Sequence, residues 1–325
     1  MNTKKLCCGI DVSADTLDIC YQTPDGNKAH LKVKNNKTGF AQILKTCQGN
    51  YHFVMEATGV YHLALVFFLY EKKVAFSVVN ALQIKRYIQM HLERNKSDKK
   101  DAKRICEYGI ERELELYEMP DIAYFECRSL NNAIQDLTKE ITKFTNRIHS
   151  LKKAPYDNKI IIKSYTIVIE NLKKEKEKLE QELENKLKEW QPDLLQQVQS
   201  VKGIGKKAAA EIIIYTKAFK GMENYKQLIS YAGLSPVEYS SGSSIKGRTK
   251  ICKQGGKQLR HILYMGALNA KENNAACKAL FDRLVANGKN KKSAVIAVCN
   301  KLLKQVFGCI KNQSLYQDNY LKNIA

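Results

Sequence analysis

Four carboxylates, Asp11, Glu56, Asp98 and Asp101, fall at points of this chain where strand and helix patterns change, and a serine cluster lies far downstream. A few carboxylates converging on one point are the usual way to hold two magnesium ions, which prefer oxygen ligands and keep several waters while a substrate phosphate completes the shell. Asp11 follows the apolar run Leu6 to Ile10, and Glu56 closes the apolar run His52 to Met55. Asp98 and Asp101 are three residues apart, a spacing that shares one helix face near its start. Each acid alone has an ordinary reading as a turn or capping residue, with Ser97 or Asp98 as the cap. A common phosphate-handling centre accounts for all four together. Asp15 and Asp18 read as solvated turn and strand residues.

The second element is Ser240-Ser241-Gly242-Ser243-Ser244, followed by Lys246, Arg248, Lys250, Lys253, Lys257, Arg260 and His261. Serine-rich loops are commonly no more than solvated turns. Here the dense cations can bind a scissile phosphate and stabilise charge as a hydroxyl attacks in line. A third element is Val201-Lys202-Gly203-Ile204-Gly205-Lys206-Lys207-Ala208. Gly203 and Gly205 allow a helix-hairpin-helix-like turn whose following helix start, with Lys206 and Lys207, would receive a DNA phosphate without reading sequence. A plain structural turn is the competing reading.

The whole chain agrees with a polyanionic partner, since 54 Lys and Arg against 33 Asp and Glu give a net charge of +21 and a pI near 9.4. No run approaches the eighteen or so apolar residues of a spanning helix, and no secretory leader opens the chain, which points away from membranes and toward the cytoplasm. Ten cysteines are scattered without a C-x-x-C pair, so they read as reduced core thiols and not as zinc ligands.

These residues need a scaffold. Leu6 to Val12, Thr16 to Gln22 and Ala29 to Val33 alternate as a half-buried antiparallel meander with a Pro24-Asp25-Gly26 turn. A helix near Gly39 to Cys47, a buried strand ending on Glu56, a helix from Thr58 through Leu69, a strand Val74 to Val79 and a helix from Ala81 complete a ribonuclease H-like α/β fold. From Leu130 the apolar residues Ile134, Leu137, Ile141, Phe144, Ile148 and Leu151 follow 4-3 spacing, the seam of a coiled coil. A second arm with Tyr165, Val168, Leu172, Leu179, Leu183, Leu187 and Trp190 would return antiparallel to it, serving oligomerisation or clamping nucleic acid as well as internal packing. The expected organisation is an α/β catalytic domain over 1–120, a coiled-coil helical hairpin over 121–192 and a mainly α-helical domain over 193–325.

With these residues in view, the chain resembles the DEDD-type insertion-sequence transposases, which join a RuvC-like N-terminal domain to a C-terminal domain with a catalytic serine. The likeness rests on Gly9-Ile10-Asp11-Val12-Ser13, Met55-Glu56-Ala57-Thr58-Gly59-Val60-Tyr61 and Ser97-Asp98-Lys99-Lys100-Asp101-Ala102. It continues in Gly203-Ile204-Gly205, Tyr231-Ala232-Gly233-Leu234-Ser235-Pro236, Ser240-Ser241-Gly242, Lys253-Gln254-Gly255, Leu259-Arg260, Gly288-Lys289 and Ala297 through Leu303. Ser97 stands where threonine is frequent, and Ser243-Ser244-Ile245 replaces a glycine- and lysine-rich run. The resemblance implies that Asp11, Glu56, Asp98 and Asp101 bind Mg²⁺, or Mn²⁺ in its place, and that Ser241 forms a covalent phosphoserine link with DNA, with Ser240 the lesser candidate. It implies donor and target DNA as partners, a bridge RNA that pairs with both, and a homo-tetramer built as a dimer of dimers whose active sites combine carboxylates and serine from different subunits. It also implies a prokaryotic, nucleoid-associated setting. The runner-up function is a Holliday-junction-type, metal-dependent nuclease with water as the attacking group, and a third is an inert nucleic-acid-binding protein.

Overall fold

The structure is a computed structural model that describes residues 6–91, 97–237, 240–241, 245–246 and 250–318. The chain forms two compact units, 1–119 and 120–325.

In the first unit, β1 (Leu6–Val12), β2 (Thr16–Gln22) and β3 (Lys28–Lys34) make the expected meander, followed by α1 (Lys37–Thr46), β4 (Tyr51–Glu56), α2 (Leu63–Glu71), β5 (Phe76–Val79), α3 (Ala81–Met90) and α4 (Asp98–Glu111). The sheet order is β3-β2-β1-β4-β5, with β1 antiparallel to β2 and parallel to β4. This is the ribonuclease H-like arrangement expected from the order of elements.

β1 and β2 depart from a half-buried sheet because both of their faces are covered, whereas β3 keeps the expected alternation along Lys28–Lys34. On one face Ile10, Leu17, Ile19, Phe53 and Met55 pack with Phe40, Ile43, Leu65 and Leu69 of α1 and α2. On the other, Cys7, Cys20, Val54 and Val79 pack with Ile84 of α3 and Ala102, Ile105 and Cys106 of α4. A strand sandwiched this way loses the polar alternation of a sheet with one wet face. Two boundaries also shift. Gly59 takes a positive φ of 51° inside a turn, so α2 starts at Leu63 and not at Thr58. Lys73 has φ 53° and the Val74 amide still donates to the Leu69 carbonyl, so the chain is closing α2 where a strand was expected, and β5 begins at Phe76.

The second unit opens with α5 (Ile122–Leu151) and α6 (Lys159–Trp190). They run antiparallel: Phe144 meets Tyr165 near one end, with ring centroids 5.2 Å apart, and Trp190 Nε1 donates to Asp121 at the other. Next come α7 (Pro192–Ser200), α8 (Lys206–Tyr215) and α9 (Tyr225–Tyr231), then β6 (Pro236–Val237), β7 (Ser240–Ser241), β8 (Ile245–Lys246) and β9 (Lys250–Ile251). The unit closes with α10 (Lys257–Asn273), α11 (Ala275–Ala286) and α12 (Lys291–Lys311). One core runs from Ile134, Leu183 and Leu187 of α5 and α6 through α8 and α10 to α12. By length and composition α12 could cross a membrane, which amends the expectation that no segment qualifies. Its Val298, Leu302, Leu303 and Val306 are instead fully buried in this core. All ten cysteines are free thiols and nine are buried, as their apolar contexts suggested.

Candidate active site

Side chains alternate across a strand, so Cys7, Gly9 and Asp11 of β1 point to the α4 face, as do Val54 and Glu56 of β4. Ile10 pairs with Met55, which puts Asp11 and Glu56 one step further along, at the C-terminal ends of two neighbouring parallel strands. Ligand crevices in parallel sheets form at these ends.

Two glycines bring α4 down onto the sheet. A Cβ on Gly9 would lie 2.2 Å from the Cys106 amide nitrogen and 2.7 Å from the Ala102 carbonyl oxygen. A Cβ on Gly109 would lie 2.5 Å from Cys7 Sγ and 2.8 Å from a Val54 methyl. The helix therefore crosses β1 antiparallel, and its N-terminal turn arrives beside Asp11. Ser97 caps that turn, its Oγ accepting from the Lys100 amide at 3.4 Å. Asp98 is exposed and Asp101 is buried, both in the turn where the helix dipole favours negative charge.

The four acids share one electrostatic neighbourhood. Asp11 is pushed up from 3.8 to about 6, first by burial and then by the charges of Asp101, Asp98, Glu56 and Asp18. Every one of those charges is negative, a repulsion that a bound cation would relieve. Among the described residues no three such ligands close on a common point, and the carboxylates stand apart as like charges do. Their donor set is all oxygen, which suits a hard divalent ion such as Mg²⁺ or Mn²⁺ over zinc.

Asp18 corrects the sequence reading. It is not solvated: it is buried on β2 directly opposite Asp11, with His30 Nε2 and Lys32 Nζ each 3.0 Å from its carboxylate. The signal was present in the short turn after Val12, since pairing Val12 with Leu17 fixes Asp11 against Asp18. Asp15 is exposed, as expected.

The serine lies in the other unit, on a nested β-hairpin. The pairs Pro236 with Ile251 and Val237 with Lys250 form its base, and Ser240 with Lys246 and Ser241 with Ile245 form its outer rung. Arg248, Gly242 and the side chains of Ser240, Ser241 and Lys246 lie outside the described residues. The base is held by Tyr215, whose hydroxyl accepts from the Gly256 amide at 2.5 Å and donates to the Tyr231 carbonyl at 3.2 Å. Lys253 and Lys257 are exposed, whereas Arg260 is half-buried and donates to the Ala232 carbonyl at 3.2 Å, so part of its hydrogen-bonding capacity is spent on the fold.

Two family models divide the chain between them. Residues 8–153 match a model described as "Transposase", of the DEDD type, and residues 195–282 match "Transposase IS116/IS110/IS902 family". The chain belongs to this transposase family. The relatives agree along its length. A pilin gene-inverting protein of Moraxella lacunata is 27% identical over 318 residues, covering 93% of this chain and 95% of its own, and that of Moraxella bovis is 27% identical over the same shares. The transposase for insertion sequence element IS1111A of Coxiella burnetii is 20% identical, covering 95% of this chain and 90% of its own. The transposase is thus an enzyme that cleaves and rejoins DNA, with a RuvC-like fold in its first unit and a DEDD centre that points to divalent metal.

In this transposase the Gly203 turn has a packing reason. Gly203 has a φ of 106°, and a Cβ there would lie 2.6 Å from the Ala270 Cβ and 3.1 Å from the Gly266 carbonyl oxygen of α10. Gly205 caps α8 through its backbone with open space around it. Lys206 and Lys207 are exposed and pair with Glu184 and Glu180 of α6, each at 2.9 Å. Exposed pairs of this kind contribute between nothing and about 1 kcal/mol and exchange partners readily.

Proposed function

We propose that this transposase excises and inserts its own mobile element, with Asp11, Glu56, Asp98 and Asp101 holding Mg²⁺ or Mn²⁺ and Ser241 as nucleophile. The observation that carries the reading is that Asp11 and Glu56 end neighbouring strands on the face where the first turn of α4 brings Asp98 and Asp101, so that burial first and then the charges of these acids raise Asp11. When bound, the metal would neutralise charge on the phosphate oxygens during in-line displacement. The Ser241 Oγ forms a bond to phosphorus as the bond from phosphorus to one deoxyribose oxygen breaks. The serine proton passes to a base or water at the site, and the freed DNA strand end takes up a proton as a hydroxyl. Rejoining runs in reverse, with the hydroxyl of a new strand end attacking phosphorus and Oγ leaving. The phosphodiester count is conserved throughout.

The nested hairpin supports the role of Ser241, since it presents that residue on the outermost described rung with Lys250, Lys253 and Lys257 following. Gly203, Gly205, Lys206, Lys207, Lys246, Arg248 and Arg260 complete the proposed contacts with nucleic acid. Target choice by a bridge RNA, and a tetramer in which carboxylates and serine come from different subunits, belong to the same proposal through the family resemblance. The names of the Moraxella relatives add that DNA inversion is within reach of such a chain.

Covalent trapping tests it. Protein, Mg²⁺, RNA copied from the flanking non-coding sequence of the element and labelled donor and target DNA should give a denaturation-resistant protein–DNA adduct. Ser241→Ala should abolish the adduct, and Glu56→Gln should reduce it about a hundredfold or more, the scale of losing one transition-state stabiliser. Cleavage without an adduct, unchanged in Ser241→Ala, would make the protein a metal-dependent nuclease. Full DNA processing by Glu56→Gln would remove the carboxylates from the chemistry.

A further inference from the structure

The second unit has a half-open cleft of about 880 Å³ between α5 and α6, α7, α8 and the start of α10. Its floor holds Glu211, a carboxylate only 6% exposed on an otherwise apolar face of α8. One of its oxygens, Oε2, accepts from Asn131 Nδ2 at 2.8 Å and from Gln135 Nε2 at 3.0 Å, both from α5. Among the described residues no hydrogen bond reaches the other oxygen, and Glu211 lines the cavity. Burying a carboxylate is expensive unless it is paired. Here only one of its two oxygens is paired, which leaves an acceptor on a side chain that lines a half-open cleft.

The polarity of the floor follows from this arrangement. Asn131 and Gln135 each turn an amide N–H toward Glu211, so their carbonyl oxygens remain to face other donors. The carboxylate adds an acceptor to the carbonyl and the second N–H that each amide keeps, so the anionic oxygen is the strongest hydrogen-bonding group of the floor. Above it the walls set apolar Ile134, Leu187 and Ile262 among charged residues such as Lys176, Glu180 and Glu184, and Lys206 and Lys207 stand one to two helical turns from Glu211. A ligand matched to this site carries adjacent N–H donors at one end, for the Glu211 carboxylate, and an anion at the other, for the lysines. Guanine has that edge, in its ring N–H and exocyclic amine, and its phosphate would reach the exposed lysines once they exchange their half-buried partners Glu184 and Glu180.

We propose that this cavity takes an unpaired guanine nucleotide of single-stranded nucleic acid, with the base edge on Glu211 and the phosphate on Lys206 and Lys207. The site is separate from the carboxylate centre and does not depend on Ser241. Strand exchange passes through unpaired DNA, and a guide RNA would offer unpaired bases as well, so both are sources of the same chemistry.

The test is binding of the full-length protein, without metal, to short oligothymidine carrying one central guanine, hypoxanthine or adenine, with matching oligouridine series to separate DNA from RNA. Hypoxanthine lacks the exocyclic amine. Wild type should prefer guanine over hypoxanthine roughly tenfold, the size of one base-edge discrimination. Glu211→Gln is the informative variant. Its single carbonyl must serve both amides, which turns an N–H₂ donor into the cavity, so the guanine preference should vanish and an acceptor-bearing edge should gain. Lys206→Gln with Lys207→Gln should weaken every oligonucleotide alike and leave the preference in place. Equal affinity for guanine and hypoxanthine in wild type would overturn the proposal. So would an unchanged preference in Glu211→Gln, or a change confined to sedimentation, which would make the cavity a contact between copies of the chain. Because no cleavage is scored, failure here is distinct from failure of the serine mechanism.

Discussion

Asp11 carries the electrostatic cost of the candidate active site. Its pKa is raised from 3.8 to about 6 by burial and by four acidic neighbours, so the folded chain holds this proton more tightly than the unfolded chain does. Stability of the metal-free protein should therefore fall as pH rises through about 4 to about 6, because the folded state binds more protons over that window. Asp11→Asn removes one of the repelling charges. Its thermal midpoint at neutral pH should exceed that of wild type without metal, and the increase that Mg²⁺ gives wild type should be lost. A cation at a hundred times its dissociation constant stabilises a folded state by about 2.7 kcal/mol, enough to resolve by calorimetry. An Asp11→Asn protein that still gains the full Mg²⁺ increment would mean that Asp11 is not a ligand. Asp18 is offset differently, by His30 and Lys32 on its carboxylate.

Among the elements, α4 decides whether a site exists at all. Asp98 and Asp101 reach Asp11 because Gly9 lets the backbone of Ala102 to Cys106 lie against β1, and Gly109 repeats the contact on Cys7 and Val54. Gly9→Ala would place a methyl 2.2 Å from the Cys106 amide nitrogen, a clash with backbone that a rotamer change cannot relieve. We expect a loss of about 1–3 kcal/mol in urea unfolding and a Mg²⁺ affinity reduced together with it, since α4 must rise off the sheet. Gly9→Ala with undiminished Mg²⁺ binding would show that the acids of α4 do not share the ion with β1. In the second unit the corresponding element is α8. The turn before it meets α10 where Gly203 lies against Gly266, and α8 carries the rim lysines at its start and sets Glu211 about one turn further along. The short strands β6 to β9 hold the serine segment through only a few paired residues, so Tyr215 and Arg260 supply much of the anchoring at its base.

For the whole molecule, the net charge of +21 sets how DNA is met. Each phosphate neutralised releases condensed counterions, so the logarithm of the binding constant should fall linearly with the logarithm of salt concentration, with a slope of about −0.9 per phosphate contacted on duplex DNA. Titrating nonspecific duplex from low to moderate salt should give a slope of several units. A slope near zero would mean that the basic residues mostly solvate the surface. The proposed chemistry is divided between the two compact units, with the carboxylates on the first and the serine hairpin on the second. What the sequence alone determined was the kind of chemistry and the order of its parts. Asp11 and Glu56 at the ends of apolar runs, the Asp98 and Asp101 pair behind a capping serine, the strand order, the two long helical arms and the basic balance all follow from local pattern, because periodicity and capping act over a few residues. Tertiary structure decided what those residues meet. Asp18 looked like any strand aspartate until the β1–β2 register set it against Asp11, and Gly9 looked like a flexible link until α4 crossed it. The buried Glu211 gave no sign of its amide partners, which lie some eighty residues away in sequence. Burial and long-range pairing depend on contacts between distant segments, and no local spacing encodes which of those contacts close.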